Sequence, residues 1–271
     1  MSGNKILTEA TVEHLENVAE DMYRIHLYEP HIAQTSHAGQ FVNIQIPKEA
    51  AVFWRRPFSI HGTRPESGIF EILFNAVGRG TQVLKKVKNS AKLNLVGPLG
   101  NTFNHPDHLK EIIIVAGGLG IAPFKLMLQN LLNRQLKKTV FFGVSSKSNL
   151  CCLDEFHRLG AECRISTEDG SQGYRGFVTD DLQNYLRKLP DLSHRQLLVC
   201  GPTPMLRKVQ EIAQTFQIDA QVSVENIMAC GFGACMGCPV QLAHPLDDGK
   251  QFLLACKDGP VFNMDEILLD D

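Results

Sequence analysis

The stretch EIIIVAGGLGIAPF, residues 111–124, marks the point where the character of the chain changes. It begins with an apolar run typical of a buried strand and continues into a glycine-rich turn, after which FKLMLQNLLNRQLKK has helical periodicity. Strand-like and helix-like segments then alternate as far as Asn226. This alternation predicts βαβ units, and therefore a doubly wound parallel α/β sheet covered by helices on both faces.

The residues before this stretch have a different pattern. Short apolar runs such as MYRIHLYEP and GQFVNIQIP are separated by Gly, Pro, Asn and Ser up to about residue 100, which predicts a small antiparallel β-barrel. After Asn226 the chain becomes rich in cysteine and glycine. We therefore expect a barrel domain over residues 1–104, an α/β domain over 105–226 and a small C-terminal domain over 227–271.

Composition excludes several classes of partner. The chain has 271 residues and a formal net charge of −2, so no electrostatic feature favours nucleic acid or an anionic membrane. Its apolar runs are interrupted by glycine and proline and are too short for a membrane span. The opening MSGNKILTEATVEHLENVAED has acidic residues where a signal peptide is apolar, so we expect a cytoplasmic protein.

The C-terminal segment contains cysteines that are spaced like metal ligands. Their pattern, C-x4-C-x2-C with a distant fourth thiol, is typical of plant-type [2Fe–2S] ligation, and it comprises Cys230, Cys235, Cys238 and Cys256. Intervening glycines let the backbone wrap closely around a small cluster. A structural zinc site is the alternative, although zinc sites usually combine two C-x2-C units and only one is present here. The remaining cysteines are expected to be buried and inert.

Two segments of the barrel region indicate phosphate binding. WRRPFSIHG, residues 54–62, offers the Arg56 guanidinium, which suits a pyrophosphate; the same segment could be the end of a surface strand. In VGRGTQVL, residues 77–84, Gly78 and Gly80 free the backbone. Thr81 is predicted to cap a helix whose N–H groups could hold a phosphate.

Two glycine corners in the α/β region outline a crevice. The turn at residues 117–123 is the usual device for bringing a pyrophosphate to a helix N-terminus, although close packing alone could also require it. CGPTPML, residues 200–206, is a second corner of the same kind. Ligands of open α/β sheets bind between such corners, at the carboxyl ends of the strands.

Together these motifs resemble the ferredoxin reductase-like flavoprotein family. The family motifs R-x-[FY]-[ST], GG-x-G-[IL]-AP and CGP stand here in family order as RPFS at residues 56–59, GGLGIAP at 117–123 and CGP at 200–202. EDGSQGYRGFVTD, MACGFGACMGC and CKDGPVF are similar to the electron-transfer subunits of class 1B dihydroorotate dehydrogenase. This resemblance covers essentially the whole chain.

The resemblance implies an electron path and a partner. Electrons would pass from an FMN-containing dihydroorotate dehydrogenase catalytic subunit through [2Fe–2S] and FAD to NAD⁺ in pyrimidine biosynthesis, within a heterotetramer of two catalytic and two electron-transfer subunits. The alternative is an NAD(P)H-linked ferredoxin or sulfur-metabolism reductase subunit, several of which have a non-cysteine where this chain has Cys230. The alternative outside redox chemistry is a nucleotide-binding regulator in which the four thiolates hold a structural zinc ion and the glycine corners bind a sensory ligand.

The resemblance also implies residue roles. It assigns the FAD site to Arg56, Pro57, Phe58, Ser59, Gly78, Gly80 and Thr81, the NAD cleft to Gly118, Gly120, Pro123, Gly201 and Pro202, and the cluster to Cys230, Cys235, Cys238 and Cys256. No histidine is grouped with cysteine or carboxylate at catalytic spacing, so no acid–base residue is expected.

The sequence leaves open the role of one residue and of two further groups of residues. Glu225 could be a functional acid or the solvated end of a strand. The group Ser145, Ser146 and Lys147 could receive a 2′-phosphate or form a polar turn, whereas the resemblance implies NAD. The soft apolar side chains beside the cysteines suit a partner surface or the shell of the cluster itself, and they are Met228, Phe232 and Met236.

Overall fold

The computed structural model describes residues 5–47 and 53–269. The N-terminal region contains strands β1 (Ile6–Ala19), β2 (Met22–Tyr28), β3 (Phe41–Ile44), β4 (Arg56–Arg64), β5 (Ile69–Asn75) and β6 (Lys92–Leu99), and short helices α1 (Pro30–Thr35) and α2 (Arg79–Leu84). The strands close into an antiparallel barrel in the order β1-β2-β5-β4-β3-β6. The predicted barrel is therefore confirmed.

Alternation along β3 and β4 gives the barrel two different faces. Val42 and Ile44 are fully buried in the barrel core. Phe41 and Asn43, which alternate with them along β3, face outward because successive side chains of a strand point to opposite faces. In the antiparallel register Phe41 lies opposite Ser59 and Asn43 opposite Pro57, so these four side chains share the outer face.

The second region is the predicted parallel sheet. Its strands are β7 (Glu111–Gly117), β8 (Lys137–Val144), β9 (Glu162–Thr167), β10 (Tyr174–Arg175), β11 (Arg195–Cys200) and β12 (Asp219–Ser223), and its helices are α3 (Phe124–Asn130), α4 (Leu153–Arg158), α5 (Val178–Leu186) and α6 (Thr203–Phe216). The strand order is β10-β9-β8-β7-β11-β12. Successive strands run outward from β7 on one side and from β11 on the other, so the topological switch point lies between β7 and β11.

Helix α3 is shorter than its periodicity predicts. The apolar pattern continues to Lys138, but the helix ends at Asn130, and turns lead into β8 at Lys137. The last residues of the pattern enter the sheet, where Lys137 pairs with Glu111 at the start of β7. Strand pairing in the sheet thus overrides local helical preference here.

The C-terminal segment is anchored to the parallel sheet. Strands β13 (Pro239–Gln241) and β14 (Phe252–Leu254) pair with each other, and β15 (Val261–Asn263) runs antiparallel to β12. Asn101, just after the barrel, donates to the carbonyl oxygens of Asp258 (3.0 Å) and Val261 (2.7 Å). The cluster segment is therefore tied to both of the other regions.

A buried ionic network joins the barrel to the α/β region. Lys125 on α3 donates to Glu71 of β5 at 2.6 Å and also contacts Glu155 of α4. Arg24 of β2 pairs with Glu155 from the barrel side. Buried charges persist only when they are paired in this way, so the network fixes how the two regions meet.

Candidate cofactor sites

A cavity of about 620 Å³ opens where the outer face of the barrel meets the switch point of the sheet. The sequence predicted twelve residues for the flavin and nucleotide sites, and ten of them line this cavity: Arg56, Pro57, Phe58, Ser59, Thr81, Gly118, Gly120, Pro123, Gly201 and Pro202. Barrel and sheet each supply one wall. The fold thus brings the three motifs into a single space.

The remaining two predicted residues lie at the start of α2, beside this cavity. Gly78 is the N-cap of the helix, and its N–H donates to Thr81 Oγ1 at 3.2 Å. The expectation that Thr81 itself caps the helix is therefore corrected: it is the third helical residue and hydrogen-bonds back to the cap. A Cβ at Gly80 would come within 3.3 Å of Ile46, so Gly80 allows α2 to pack against the barrel.

The two glycine corners of the crevice are in direct backbone contact. A Cβ at Gly120 would lie 2.2 Å from the Cys200 carbonyl oxygen, and one at Gly117 would lie 2.7 Å from Met205 Sδ. Gly118 adopts a φ of +53° that favours glycine. Close packing, one of the two alternatives offered by the sequence, therefore applies to the turn, and the turn also lines the cavity.

A second cavity, of about 530 Å³, continues from the first. Both are lined by Gly117, Gly118 and Pro202, and the second extends over the carboxyl ends of β8 and β9. Two of its charged lining residues are Glu168 and Lys208. The continuous groove has the shape needed by an extended dinucleotide whose two halves occupy separate subsites.

The segment of Ser145, Ser146 and Lys147, considered above as a binding site for a 2′-phosphate, forms a turn whose polar groups bond to neighbouring residues of the chain. Ser145 lines the second cavity, but its hydroxyl donates to Asn149 Oδ1 at 2.8 Å. The N–H of Lys147 donates to Ser171 Oγ at 2.8 Å. Glu168, which the sequence analysis did not single out, lines the same cavity. Its place directly after β9 is the signal that could have identified it.

Glu225 also stands in the wall of the first cavity, together with Cys200 and Ser59. Its side chain is open to the cavity interior, and the protein atoms around it partly desolvate the carboxylate and raise its pKa. Burial raises the pKa of the Cys200 thiol as well. The first cavity thus has an acid with a raised pKa in its wall.

The cysteines of the cluster segment form two pairs. Cys238 Sγ lies 3.3 Å from Cys256 Sγ, and the side chain of Cys235 is hydrogen-bonded to Cys230. Within residues 5–47 and 53–269, no three His, Cys, Asp or Glu side chains are grouped as ligands of one metal ion. A [2Fe–2S] cluster takes four thiolates on two irons, whereas a structural zinc gathers all four on one ion, so the paired donors suit the cluster better.

Backbone N–H groups of the cluster loop, residues 229–238, point at these sulfurs. Gly233 N–H donates to Cys256 Sγ at 3.1 Å, and its φ of +89° favours glycine. Partial burial opposes ionisation of Cys230, but N–H groups of residues 232, 234 and 235 outweigh it and lower the pKa of this thiol to about 6. The loop therefore stabilises thiolate charge at Cys230, whereas burial and the neighbouring Cys238 raise the pKa of Cys256.

The two pairs differ in exposure. Cys238 and Cys256 are buried, whereas Cys235 is exposed. Met228 is buried in the wall of the first cavity, so it belongs to the interior of this chain. Ile227, Phe232 and Met236 are large apolar side chains that stay exposed beside the cluster loop.

The expectation that the other four cysteines are buried and inert is corrected: Cys152 and Cys163 are half-buried, and Cys152 contacts a histidine. Cys152 Sγ lies 3.6 Å from His61 Nε2, and His61 Nδ1 lies 2.7 Å from the Ala122 carbonyl oxygen. A hydrogen bond from Cys151 and the contact with His61 lower the pKa of Cys152 to about 5. His61 is fully buried, so the fold brings one histidine beside a cysteine although the sequence pattern grouped none.

Two family models match separate parts of the chain. Residues 225–268 match the family described as the iron-sulfur cluster binding domain of dihydroorotate dehydrogenase B, and residues 114–211 match the oxidoreductase NAD-binding domain.

No helix in the described part of the chain is both long and apolar enough to cross a membrane.

A similar solved structure is a chain of the NADH-dependent reduced ferredoxin-NADP oxidoreductase, with 29% identity and a TM-score of 0.84 over 96% of this chain and 90% of that one. A cytochrome P450 reductase of Amycolatopsis, at 22% identity and a TM-score of 0.67, covers 79% of this chain and 68% of its own. The second likeness shows the ferredoxin reductase-like fold alone.

Two relatives match over nearly their full length. The dihydroorotate dehydrogenase B (NAD(+)) electron transfer subunit of Desulforamulus reducens is 33% identical over 90% of this chain and 92% of its own. The subunit of the same name from Fusobacterium nucleatum is 32% identical over 97% of this chain and 99% of its own. The chain therefore belongs to the family of dihydroorotate dehydrogenase B electron transfer subunits.

Proposed function

We propose that this chain is the electron-transfer subunit of a dihydroorotate dehydrogenase, carrying electrons from an FMN-containing catalytic subunit through [2Fe–2S] and FAD to NAD⁺ in pyrimidine biosynthesis. The observation that carries this proposal is the group of four cysteines, three on the cluster loop and one at Cys256, beside a cavity shared by the RPFS motif and both glycine corners. In this proposal FAD is bound by the barrel domain at residues 1–104, NAD by the nucleotide domain at 105–226 and the cluster by the C-terminal domain at 227–271.

FAD belongs between the other two groups because a flavin exchanges two electrons with a nicotinamide and single electrons with a cluster. The chain's own residues bind and orient these groups. Arg56 and the N-terminus of α2 hold the flavin pyrophosphate, and Pro57, Phe58 and Ser59 lie along the flavin. Gly118, Gly120, Pro123, Gly201 and Pro202 admit the nicotinamide end of NAD, and the four cysteines of the two pairs, Cys230, Cys235, Cys238 and Cys256, ligate the cluster.

Selection of NAD over NADP follows from the second cavity. Glu168 places a carboxylate at the carboxyl end of β9, where it accepts hydrogen bonds from ribose hydroxyls and repels a 2′-phosphate. Glu168→Gln should therefore lower the ratio of the NADPH dissociation constant to the NADH dissociation constant by about tenfold, which corresponds to the loss of one charged hydrogen bond. Asp154→Asn, an exposed acid on α4, serves as control. An unchanged ratio of the two dissociation constants in Glu168→Gln would show that selection lies elsewhere.

The catalytic subunit docks over the exposed edge of the cluster. Cys235 is exposed on the cluster loop, and so are the nearby apolar side chains of Ile227, Phe232 and Met236, which suits a surface that becomes buried in a complex. Two such subunits and two catalytic subunits would form a cytoplasmic heterotetramer. Met236→Asp should weaken this association, as measured by sedimentation with the separately purified partner. The flavin content of the variant, measured by absorbance, should not change.

An NAD(P)H-linked ferredoxin or sulfur-metabolism reductase subunit is the second candidate, favoured by the structural likeness at a TM-score of 0.84. The two functions are distinguished by an anaerobic visible spectrum followed by reconstitution. Flavin bands with an iron–sulfur shoulder that bleach on addition of NADH establish the cofactors. Dihydroorotate-dependent NAD⁺ reduction with the FMN subunit then supports the first function, and its absence while ferredoxin is reduced supports the second. A colourless, zinc-containing protein would refute both.

A further inference from the structure

The side chain of Asn43 joins the barrel to the cluster loop. It is fully buried on β3, and its amide nitrogen donates to the carbonyl oxygens of Cys230 (3.0 Å) and Ala229 (3.3 Å). The next residue, Gly231, packs so closely that a Cβ there would lie 2.6 Å from Asn43 Nδ2. The backbone of the first cluster ligand thus rests directly on this amide.

The other side of Asn43 belongs to the flavin-binding face. Asn43 pairs with Pro57 in the β3–β4 register, and Phe41 and Ser59, on the same outer face, line the first cavity. The backbone carbonyl of Asn43 also accepts a hydrogen bond from Arg55 Nη1 at 3.3 Å. One strand position therefore contacts the cluster loop and is paired with the RPFS motif.

The chemistry of the contact requires an amide at this position. Two carbonyl oxygens face the side-chain nitrogen, which fixes the amide orientation because only the NH₂ group donates. Asn43 Oδ1 is buried and has no hydrogen-bond partner within the described ranges. Leaving a buried acceptor unpaired has a free-energy cost, so the amide is not explained by its stabilising effect on the barrel.

We infer that Asn43 is a positioning residue that holds the Cys230 end of the cluster loop against the flavin-binding face, and so sets the separation and orientation of the two redox sites. The inference rests on the proposed function. Outer partners of metal ligands act in this way, and losing one typically lowers metal affinity or activity by about 10- to 100-fold.

The test compares Asn43→Ala and Asn43→Asp with Val42→Ala. Asn43→Ala removes both hydrogen bonds, and Asn43→Asp keeps the shape but places carboxylate oxygens against the two carbonyl oxygens. Val42 is the preceding residue, is equally buried and faces the barrel core, so Val42→Ala weakens the barrel without touching the loop.

Three readouts separate positioning from stability. Amide hydrogen exchange of residues 229–238 is measured in the full chain with and without its cofactors, and the electron paramagnetic resonance spectrum of the reduced cluster is recorded. Stopped-flow absorbance follows flavin reduction by NADH and then cluster reduction. In both Asn43 variants we expect faster exchange in the loop, an altered spectrum and cluster reduction slowed at least tenfold, with flavin reduction unchanged. Val42→Ala should change none of these.

The inference is overturned if the Asn43 variants keep the wild-type exchange, spectrum and cluster reduction, or if Val42→Ala produces the same changes. It is also rejected if neither Asn43 variant folds while Val42→Ala does, because Asn43 is then required for the fold itself. Wild-type protein lacking flavin and cluster would refute the proposed function, whereas loop exchange in the cofactor-free chain still tests the Asn43 contact.

Discussion

Replacing Gly120 by alanine should separate the two corners of the nucleotide crevice. The added Cβ would lie 2.2 Å from the Cys200 carbonyl oxygen, 2.5 Å from its carbonyl carbon and 2.7 Å from Gly201 Cα. Ordinary contacts need about 3.5 Å, so the corners must move apart by about 1 Å. These neighbours are backbone atoms, which cannot swing away as a flexible side chain would.

Two effects of different size follow. Overpacking costs about 2 kcal/mol, which lowers the melting temperature by about 4–8 °C in a chain of this size. The displaced corner moves the nicotinamide relative to the flavin, and we expect NADH to reduce the flavin about 100-fold more slowly. Flavin content should remain near that of the wild type, because Arg56 and Phe58 lie on the barrel wall of the cavity.

The assay is anaerobic stopped-flow reduction of bound FAD by NADH, with FAD content and melting temperature measured on the same preparation. Gly249→Ala is the control, since Gly249 has a φ of +81°, no atom within 4 Å of the added Cβ and no place in either cavity. It should lower stability by about 1 kcal/mol and leave the reduction rate unchanged. A Gly120→Ala protein that is reduced within about twofold of the wild-type rate would refute this account of the crevice.

Other predictions concern charge and thiol chemistry. Arg56→Lys keeps the positive charge but loses the bidentate guanidinium, so FAD affinity should fall about tenfold by equilibrium dialysis; unchanged affinity would remove Arg56 from the phosphate site. Glu155 is partly desolvated, yet hydrogen bonds from Lys125 and Arg24 lower its pKa from 4.5 to about 2. The contribution of the Glu155 carboxylate to the free energy of unfolding is therefore present above pH 4.5 and is lost as the pH falls toward 2. Urea denaturation over this pH range should show that the wild type loses about 2 kcal/mol more of this free energy than Glu155→Gln does, after discounting for solvent screening. Cys152 should react with iodoacetamide at lower pH than the other free thiols outside the cluster loop, and His61→Gln should raise that pH; mass spectrometry showing no His61 dependence would contradict the contact.

The order of barrel, α/β region and cysteine segment could be predicted from the sequence because the first two have different hydrophobic periods and the third has its own composition and cysteine spacing. The RPFS and glycine motifs could also be located, since each is a short local pattern. Asn43 and Glu168 could not be identified in this way. Asn43 acquires its role only when β3 pairs with β4 and the loop, nearly 190 positions later, folds onto it. The end of α3 was missed for a similar reason, because β8 competes for the same residues.

Strand β15 has a consequence for how the chain can be divided. It follows Cys256 in the sequence and covers the β12 edge of the nucleotide sheet, so the polypeptide passes through the cluster region and returns to the neighbouring domain. Cutting the chain before the cysteines would leave β12 as an open edge with unpaired N–H and C=O groups, which invites association between copies. The cluster segment is therefore not a detachable electron carrier: a shortened, cluster-free reductase would need a new edge strand before it could remain monomeric.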